Sequence, residues 1–337
     1  MYNDFTNSLN MVVSELIESN APPAIPKEIR VLQKLIMAKL SSLNGSEKFS
    51  YGILGSCTEV IRRIRKNEFE FYLKVYFGFK VTPVIDDMRK GFVMIKVSDD
   101  EVHPAVDGGY VVREALAKWV IKIISNDPEY KKFGFYFEGN FTFIHRSTKN
   151  KLSCVPVLEF EPTQWPLPQQ SLPKIGLSLK AHPWYAVSRP TIPLDKRSFM
   201  VSAPDWERCL MEAHHHSHRV VLLLTRLCDV HMLDPTSFEE VIRTVVLQQV
   251  LNLSSDLGNC LIEALEAMAD SLKAGILKRF LVDNDNVLHT WNEVKLETNY
   301  EELSYVLRQL KDIKTQAEDS VKEGQSDWKS RLLAMFM

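Results

Sequence analysis

Residues 52–75, GILGSCTEVIRRIRKNEFEFYLKV, decide the fold of this 337-residue chain. The second half of this stretch alternates strictly between apolar and polar side chains, which predicts a β-strand with two different faces. The apolar face receives Phe69, Phe71, Leu73 and Val75, and the polar face receives Glu68, Glu70, Tyr72 and Lys74. Two carboxylates two residues apart on one strand face lie roughly 7 Å apart. Since that spacing lets them share divalent cations, Glu68 and Glu70 are the candidate metal-binding and catalytic residues.

A Gly-Ser turn precedes this strand. Gly55-Ser56 begins a predicted short helix from Cys57 to about Arg65, and the N–H groups at a helix start suit a phosphate. Each feature has an ordinary alternative, because Ser56 and Glu59 also form a capping box that needs no ligand, and an acidic strand face is commonly just solvated. Together, in this order and at this spacing, a phosphate cradle and paired acids favour nucleotidyl transfer.

The same residues carry a family resemblance. GSCTE at 55–59 followed by NEFEF at 67–71 resembles the Gly-Ser-x-x-Glu … Glu-Phe-Asp signature of cyclic GMP-AMP synthase and the metazoan cyclic GMP-AMP synthase-like receptors, within the male-abnormal-type branch of nucleotidyltransferases. Three later stretches resemble family segments in the same order: VPVLEF at 155–160 with Trp165-Pro166, HPWYAV at 182–187, and FLV at 280–282 with NVL at 286–288. The resemblance covers about residues 50–290.

The resemblance implies an α+β fold with two lobes. We expect a nucleotidyltransferase core at 1–193, with a mixed β-sheet and a long N-terminal spine helix, and a C-terminal helical bundle at 194–337. The patterns agree with this order, since strand-like segments at 77–85, 92–97, 133–145 and 151–161 and a helix at 110–125 precede helices at 203–231, 237–252, 256–275 and 299–320. A first helix is predicted at 6–19, the proline-rich stretch 162–193 as a connection, and the tail past Gln325 as loosely held.

The resemblance also implies a chemistry. Gly55 and Ser56 would hold the triphosphate of ATP, while Glu68 and Glu70 would hold two Mg²⁺ or Mn²⁺ ions. ATP and GTP would then be joined in two steps into cyclic GMP-AMP. Further nucleotide contacts are expected on three residues that match family positions: Ser202, Asp205 and Arg243.

The departures from the family pattern concern the metal site and the acceptor nucleotide. The third acid is missing: one alignment puts Ser153 at its position and the other puts Cys154 there. Glu159 and Glu161 lie roughly 20 Å further along an extended strand, too far to substitute. Thr225 and Glu239-Glu240 replace residues that meet the acceptor nucleotide in the family. Two alternatives therefore stay open, a catalytically degenerate member that still binds nucleotide or nucleic acid, and a developmental interaction protein.

Charge patterning points to a nucleic-acid surface. The net charge is −2, but residues 27–96 hold 14 Lys/Arg against 7 Asp/Glu. A second helix is predicted from Lys27 to Leu43, and the resemblance makes it the spine on which double-stranded RNA or another nucleic acid lies. The expected phosphate contacts are Lys27, Arg30, Lys34 and Lys39, and an idle solvated face is the alternative. An oligomer on nucleic acid is a further expectation.

Cysteine usage and the N-terminus predict a cytoplasmic protein. Five scattered cysteines without a Cys-x-x-Cys pair are typical of free thiols in a reducing compartment. The N-terminus resembles no signal peptide, and no apolar run is long enough for a membrane span, so no membrane partner is expected. His214-His215-His216-Ser217-His218 stands where the vertebrate synthase carries its zinc thumb, but without a cysteine pair zinc is not expected.

Overall fold

The structure is a computed structural model. It describes residues 4–19, 24–42, 48–52, 61–65, 67–98, 100–125, 128–138, 140–167, 182–188, 196–231, 235–250, 253–320 and 327–337. The fold is α+β with a mixed sheet, as predicted. It divides into two compact units: a sheet unit formed by residues 24–208, and a helical unit formed by 1–23 with 209–337. The predicted domain bounds, 1–193 and 194–337, stay a prediction.

Twelve strands of the described residues form the sheet. They are β1 (Lys48–Gly52), β2 (Ile61–Arg65), β3 (Glu68–Tyr76), β4 (Thr82–Ile85), β5 (Phe92–Lys96), β6 (Val106–Asp107), β7 (Tyr110–Val111), β8 (Phe133–Glu138), β9 (Asn140–His145), β10 (Lys151–Phe160), β11 (Trp184–Val187) and β12 (Ser198–Ser202). The main path is β1-β3-β10-β11-β12-β5-β7-β6, to which β2 adds beside β3, β4 beside β5, and β9 with β8 beside β10.

The centre of the sheet is the pair β3 and β10. These strands run parallel, with Glu68 opposite Lys151 and Glu70 opposite Ser153, whereas the other described strand pairs are antiparallel. The predicted strand is confirmed, and its apolar face is buried throughout: Phe69, Phe71, Leu73 and Val75. The polar face is more enclosed than an ordinary solvated one, since Glu70 and Tyr72 are also buried.

Two amphipathic helices accompany this part of the sheet. Helix α2 (Lys27–Ser41) contacts β1 and α3 (Arg113–Ile124), and α3 contacts β9. Each helix buries apolar residues at helical spacing: Ile29, Leu32, Ile36 and Leu40 of α2, and Leu116, Val120 and Ile124 of α3. Because β1 pairs with β3 and β9 pairs with β10, the two helices pack against the strands next to this central pair.

Four secondary-structure predictions in this unit need correction. The helix predicted at 57–65 is wrong for its described part, because Ile61–Arg65 is strand β2, antiparallel to β3. The helix predicted from Tyr110 begins at Arg113, after strand β7. Residues 77–81, predicted as strand, precede β4 without joining it. Finally, the proline-rich connection contains β11, a fully buried strand that pairs with β10 and β12.

The helical unit is built on α7 (Leu257–Ala274). Asp256 caps this helix by accepting a hydrogen bond from the Asn259 N–H, and Gly275 ends it in the left-handed conformation at φ 66°. The helices in contact with α7 are α1 (Asp4–Ser19), α5 (Ser217–His231), α6 (Pro235–Gln249) and α8 (Glu293–Ser320). The hairpin β13 (Lys278–Arg279) and β14 (Val282–Asn286) lies between α7 and α8 in the sequence.

Three predictions for the helical unit also change. The helix predicted at 203–231 is two helices, α4 (Pro204–Ala213), which begins in the sheet unit, and α5. The tail is not loosely held, since α9 (Asp327–Phe336) buries Trp328, Leu332, Met335 and Phe336. Ile17, predicted on the buried face of α1, is 62% exposed.

Candidate functional site

Both predicted acids lie on the polar face of β3. Glu68 and Glu70 alternate with buried phenylalanines and therefore point to the same side of the sheet. The parallel neighbour β10 places Lys151 opposite Glu68 and Ser153 opposite Glu70. Residues directly opposite on neighbouring strands share a face, so these four side chains form one group, which we call the acid face.

Glu70 is the more enclosed of the two acids. Its side chain is only 6% exposed, and its Oε1 accepts a hydrogen bond from the Tyr72 hydroxyl at 3.0 Å. Tyr72 itself packs in an apolar cluster on this side of the sheet, together with Val155, Val157, Tyr185 and Val187. Glu70 therefore lies where a polar surface meets a packed core, and its carboxylate is held in a fixed direction.

Glu68 is half-exposed and forms an ion pair with Lys151. The Lys151 Nζ lies 2.8 Å from the Glu68 Oε1, and the two side chains are 37% and 34% exposed. The sequence alone does not indicate this cation, because Lys151 is far from Glu68 in the chain and only the parallel register of β3 and β10 brings them together.

The strand register distinguishes the two candidates for the missing acid. Ser153 lies opposite Glu70, and its hydroxyl is 2.9 Å from the Thr142 hydroxyl on β9. Cys154 lies opposite Phe71, on the other face, where full burial raises the pKa of its thiol well above the usual value. Of the two candidates, Ser153 is therefore the one that shares a face with the acid pair, and it brings no charge.

The donor set limits which metal ions the site can hold. One or two carboxylates together with nucleotide phosphates commonly hold one Mg²⁺ or Mn²⁺ ion. Glu68 and Glu70 fit that arrangement. The family pattern adds a third acid, which is missing here, and the described residues contain no group of three or more His, Cys, Asp or Glu that could hold a metal ion. The described residues thus provide carboxylates for one divalent ion, and the two-ion site stays a prediction.

A second polar group lies further along the same strands. Lys74 of β3 forms an ion pair with Glu159 of β10 and donates a hydrogen bond to the Tyr185 hydroxyl at 3.3 Å. Tyr185 in turn donates to Asp205 Oδ2 at 3.3 Å, and Asp205 pairs with Arg208 at 2.9 Å. Burial and then the charge of Asp205 raise the pKa of the Tyr185 hydroxyl, so it remains a donor at neutral pH.

This network links one predicted nucleotide contact to residues that sequence reasoning set aside. Asp205 is 9% exposed rather than a surface acid, and Ser202 lies half-buried on β12 opposite Tyr185. Glu159 is engaged by Lys74 and does not replace the missing acid. The alternation of β3 already indicates that Lys74 lies on the same side as Glu70. It does not indicate the partner of Lys74, because Glu159 is 85 residues away in the chain.

The other predicted nucleotide contacts fall in two places. Gly55 and Ser56 lie outside the described residues. Arg243 is half-buried on α6, in the helical unit, and has interactions with its surroundings.

The basic residues of α2 share one outer face. Lys27, Arg30 and Lys34 are exposed at spacings of three and four residues, and Lys39 is half-buried. The one acid of this helix, Glu28, accepts a hydrogen bond from the Asn150 side chain at 2.8 Å. The exposed face of α2 therefore presents three cations, as a phosphate-binding surface requires.

The histidine cluster lies at a helix junction and not within one helix. His214–His216 connect α4 to α5, and the rings of His215 and His216 are 3.7 Å apart. His216 is buried, its Nε2 lies 3.1 Å from the Ser255 carbonyl oxygen, and burial lowers its pKa. The expectation that zinc is not bound stays a prediction.

Two further observations concern the cysteines and the helices. The four cysteines among the described residues, Cys154, Cys209, Cys228 and Cys260, are free thiols. Among the described helices, none combines the length and the apolar character that a membrane crossing needs.

The fold and the acid face define a class of protein: an α+β chain that presents two glutamates, two residues apart, at the centre of a mixed sheet. No family model matches the chain. It is, however, 23% identical over 325 residues to the cyclic GMP-AMP synthase-like protein of Drosophila melanogaster, covering 90% of this chain and 93% of that protein. It is 22% identical over 292 residues to a cyclic GMP-AMP synthase-like receptor of Drosophila eugracilis, covering 77% and 76%. The resemblance predicted from the sequence is confirmed.

Proposed function

We propose that this chain is a nucleotidyltransferase-type sensor with a bilobal nucleotidyltransferase fold, acting in innate antiviral signalling in the cytoplasm. The observation that carries the proposal is the acid face, where Glu68 and Glu70 share one side of β3 and Glu70 accepts a buried hydrogen bond from Tyr72. Similarity to cyclic GMP-AMP synthase-like proteins over most of the chain supports the same class.

The first candidate output is cyclic GMP-AMP, made from ATP and GTP. Glu68 and Glu70 would hold Mg²⁺ or Mn²⁺ with the nucleotide phosphates, and Gly55, Ser56, Ser202, Asp205 and Arg243 would contact the nucleotides. A bound ion would neutralise phosphate charge during the transfer. The Tyr72 hydrogen bond fixes the direction of the Glu70 carboxylate, which is the part of the geometry that supports catalysis.

The input would be a nucleic acid, and double-stranded RNA is the proposed ligand. Lys27, Arg30, Lys34 and Lys39 of α2 would contact its phosphates. The exposed cations of this helix support the proposal, because phosphate contacts supply most of the non-specific affinity for nucleic acid. Several chains on one RNA would form an oligomer.

A second candidate function is binding without synthesis. Ser153 in place of an acid, with its hydroxyl against Thr142, favours it, because loss of one carboxylate weakens metal binding. In that case the chain would still bind nucleotide or nucleic acid and would signal through partners.

A single assay separates the two outputs. Purified protein is incubated with radiolabelled ATP and GTP, Mn²⁺ and long double-stranded RNA, and products are resolved by chromatography. If the chain is a synthase, wild type forms a dinucleotide, and E70Q lowers the rate by roughly a hundredfold or more. The matched control E161Q removes an exposed carboxylate beyond the end of β10 and should leave the rate unchanged.

The variant S153D decides between the candidates when wild type makes no product. Product from S153D alone would establish binding without synthesis as the function of the natural chain. The proposal as a whole is overturned if no variant makes product and wild type binds neither fluorescent ATP nor RNA.

A further inference from the structure

Lys151 is the cation of the acid face, although the sequence analysis gave it no role. It stands opposite Glu68 in the parallel register of β3 and β10, and its ammonium lies 2.8 Å from the Glu68 carboxylate. The position is imposed by the register: the sheet cannot bring Glu70 beside Ser153 without bringing Glu68 beside Lys151. Both residues of the contact therefore lie on paired strands at the centre of the sheet and not in a loop.

The charge on this face differs from that of a three-acid site by the charge of one divalent cation. Compared with a face that has three acids and no lysine, Ser153 omits one negative charge and Lys151 adds one positive charge, so the total difference is +2. Neither side chain stands alone, since the Ser153 hydroxyl lies 2.9 Å from that of Thr142 and the Lys151 ammonium lies against Glu68. The face is thus charge-balanced with fewer bound ions than three carboxylates require.

The ion pair is also able to exchange partners. Both side chains are about one-third exposed, at 37% and 34%, and ion pairs of that exposure contribute little to stability. A nucleoside triphosphate brings several negative charges, and a lysine ammonium is a common point-charge ligand for phosphate. The ammonium can therefore turn from Glu68 to a phosphate oxygen at small energetic cost, leaving Glu68 to a metal ion.

We propose that Lys151 takes the place of one divalent cation, so that the acid face binds a nucleoside triphosphate with one Mg²⁺ or Mn²⁺ ion and the Lys151 ammonium. This inference rests on the proposed function, since it requires nucleotide binding at the acid face. It applies equally to a synthase and to a chain that only binds nucleotide.

The test measures how many metal ions accompany the nucleotide. Binding of a fluorescent, non-hydrolysable ATP analogue is followed by anisotropy over a series of free Mn²⁺ concentrations and in EDTA. The slope of log affinity against log free Mn²⁺ counts the ions taken up, when the free Mn²⁺ concentration is kept below that at which the analogue alone binds the ion. We expect a slope near one for wild type and near two for the double variant K151M/S153D, because the latter has a third acid and no lysine.

Single variants isolate the lysine. In EDTA, K151M should bind the analogue roughly tenfold more weakly than wild type, the loss typical of one charged contact, while K151R, which keeps the charge, should stay close to wild type. The matched control K122M removes an exposed lysine of α3 in the same unit and should have no effect. Circular dichroism spectra check that each variant is folded.

The outcomes separate this inference from the proposed function. A slope of two in wild type, or K151M binding like K122M, overturns the role of Lys151 and leaves nucleotide binding intact. Wild type that binds no analogue at any Mn²⁺ concentration overturns nucleotide binding at the acid face, and the inference with it.

Discussion

Among the described residues, Lys74 is a largely buried cation held by specific partners. Its ammonium is on a side chain only 17% exposed, and it is held by Glu159 and the Tyr185 hydroxyl and lies 5.0 Å from the Tyr185 ring centre. Removing the carboxylate charge would leave a largely buried cation without its counter-charge. We expect E159Q to lower the free energy of unfolding by about 1–3 kcal/mol, measured by urea denaturation.

A double variant tests whether the loss belongs to the pair. K74M/E159Q should recover part of the stability, since no uncompensated charge remains. E161Q, at an exposed position two residues beyond Glu159, should stay within about 0.5 kcal/mol of wild type, because glutamine keeps the side-chain oxygen that caps the 3-10 turn at 162–164. If E159Q is no less stable than E161Q, the ion pair does not stabilise the sheet.

Residue identity alone could not predict which side chains meet on the acid face. Motif alignment left Ser153 and Cys154 as equal candidates, because a shift of one residue moves a side chain to the other face of a strand. The pairing of β10 with β3 determines the answer, and it also brings Lys151 to Glu68. Such contacts between distant strands have no local signal in the sequence, whereas the alternation that placed Glu68 and Glu70 together is local.

At the scale of elements, Glu114 joins the first turn of α3 to the segment before β12. Its carboxylate contacts Lys118 at 2.7 Å and Lys196 at 2.5 Å, and hydrogen bonds from these two lysines lower its pKa from 4.5 to about 2. Because the folded state holds the ionised form, the stabilisation is fully present above pH 4.5 and is lost as the pH falls towards 2. Both lysines are largely exposed, so the effect is at most about 1 kcal/mol.

The pH dependence of a variant measures this contribution. E114Q should unfold at a lower temperature than wild type at pH 7, and the difference should shrink between pH 4.5 and pH 2.5, followed by circular dichroism. E301Q, at an exposed position of α8, serves as the matched control. If the difference in unfolding temperature between E114Q and wild type stays constant from pH 7 to pH 2.5, the charge of the Glu114 carboxylate does not stabilise the folded state.

Elements with a strong internal period were predictable, and elements defined by distant partners were not. Helix α2 and strand β3 follow from apolar spacing, and both were predicted close to their observed bounds. Strand β2 was predicted as helix because a Gly-Ser turn with a capping pattern precedes it, but IRRIR pairs with β3 instead. Strand β11 was hidden by neighbouring prolines, although its four residues are all buried between β10 and β12.

For the whole molecule, the distribution of charge matters more than its total. The net charge of −2 would not favour binding to a polyanion, yet Lys27, Arg30 and Lys34 face outward from one helix of the sheet unit. If these residues contact RNA phosphates, K27E/R30E/K34E should abolish retention of long double-stranded RNA in a gel shift. When the same three residues are replaced by alanine, which removes their charge without reversing it, the magnitude of the slope of log affinity against log salt should fall by about 2–3. Each phosphate contact contributes roughly 0.9 to this slope.

A control of equal charge separates a local surface from a general effect. K90E/K122E/K273E makes the same change of −6 at exposed positions outside α2, and it should reduce RNA affinity much less than the α2 variant. Both variants must unfold at the same urea concentration as wild type for the comparison to hold. Equal losses in the two variants would mean that RNA responds to total charge only, and unchanged binding in K27E/R30E/K34E would remove α2 as the RNA-binding surface.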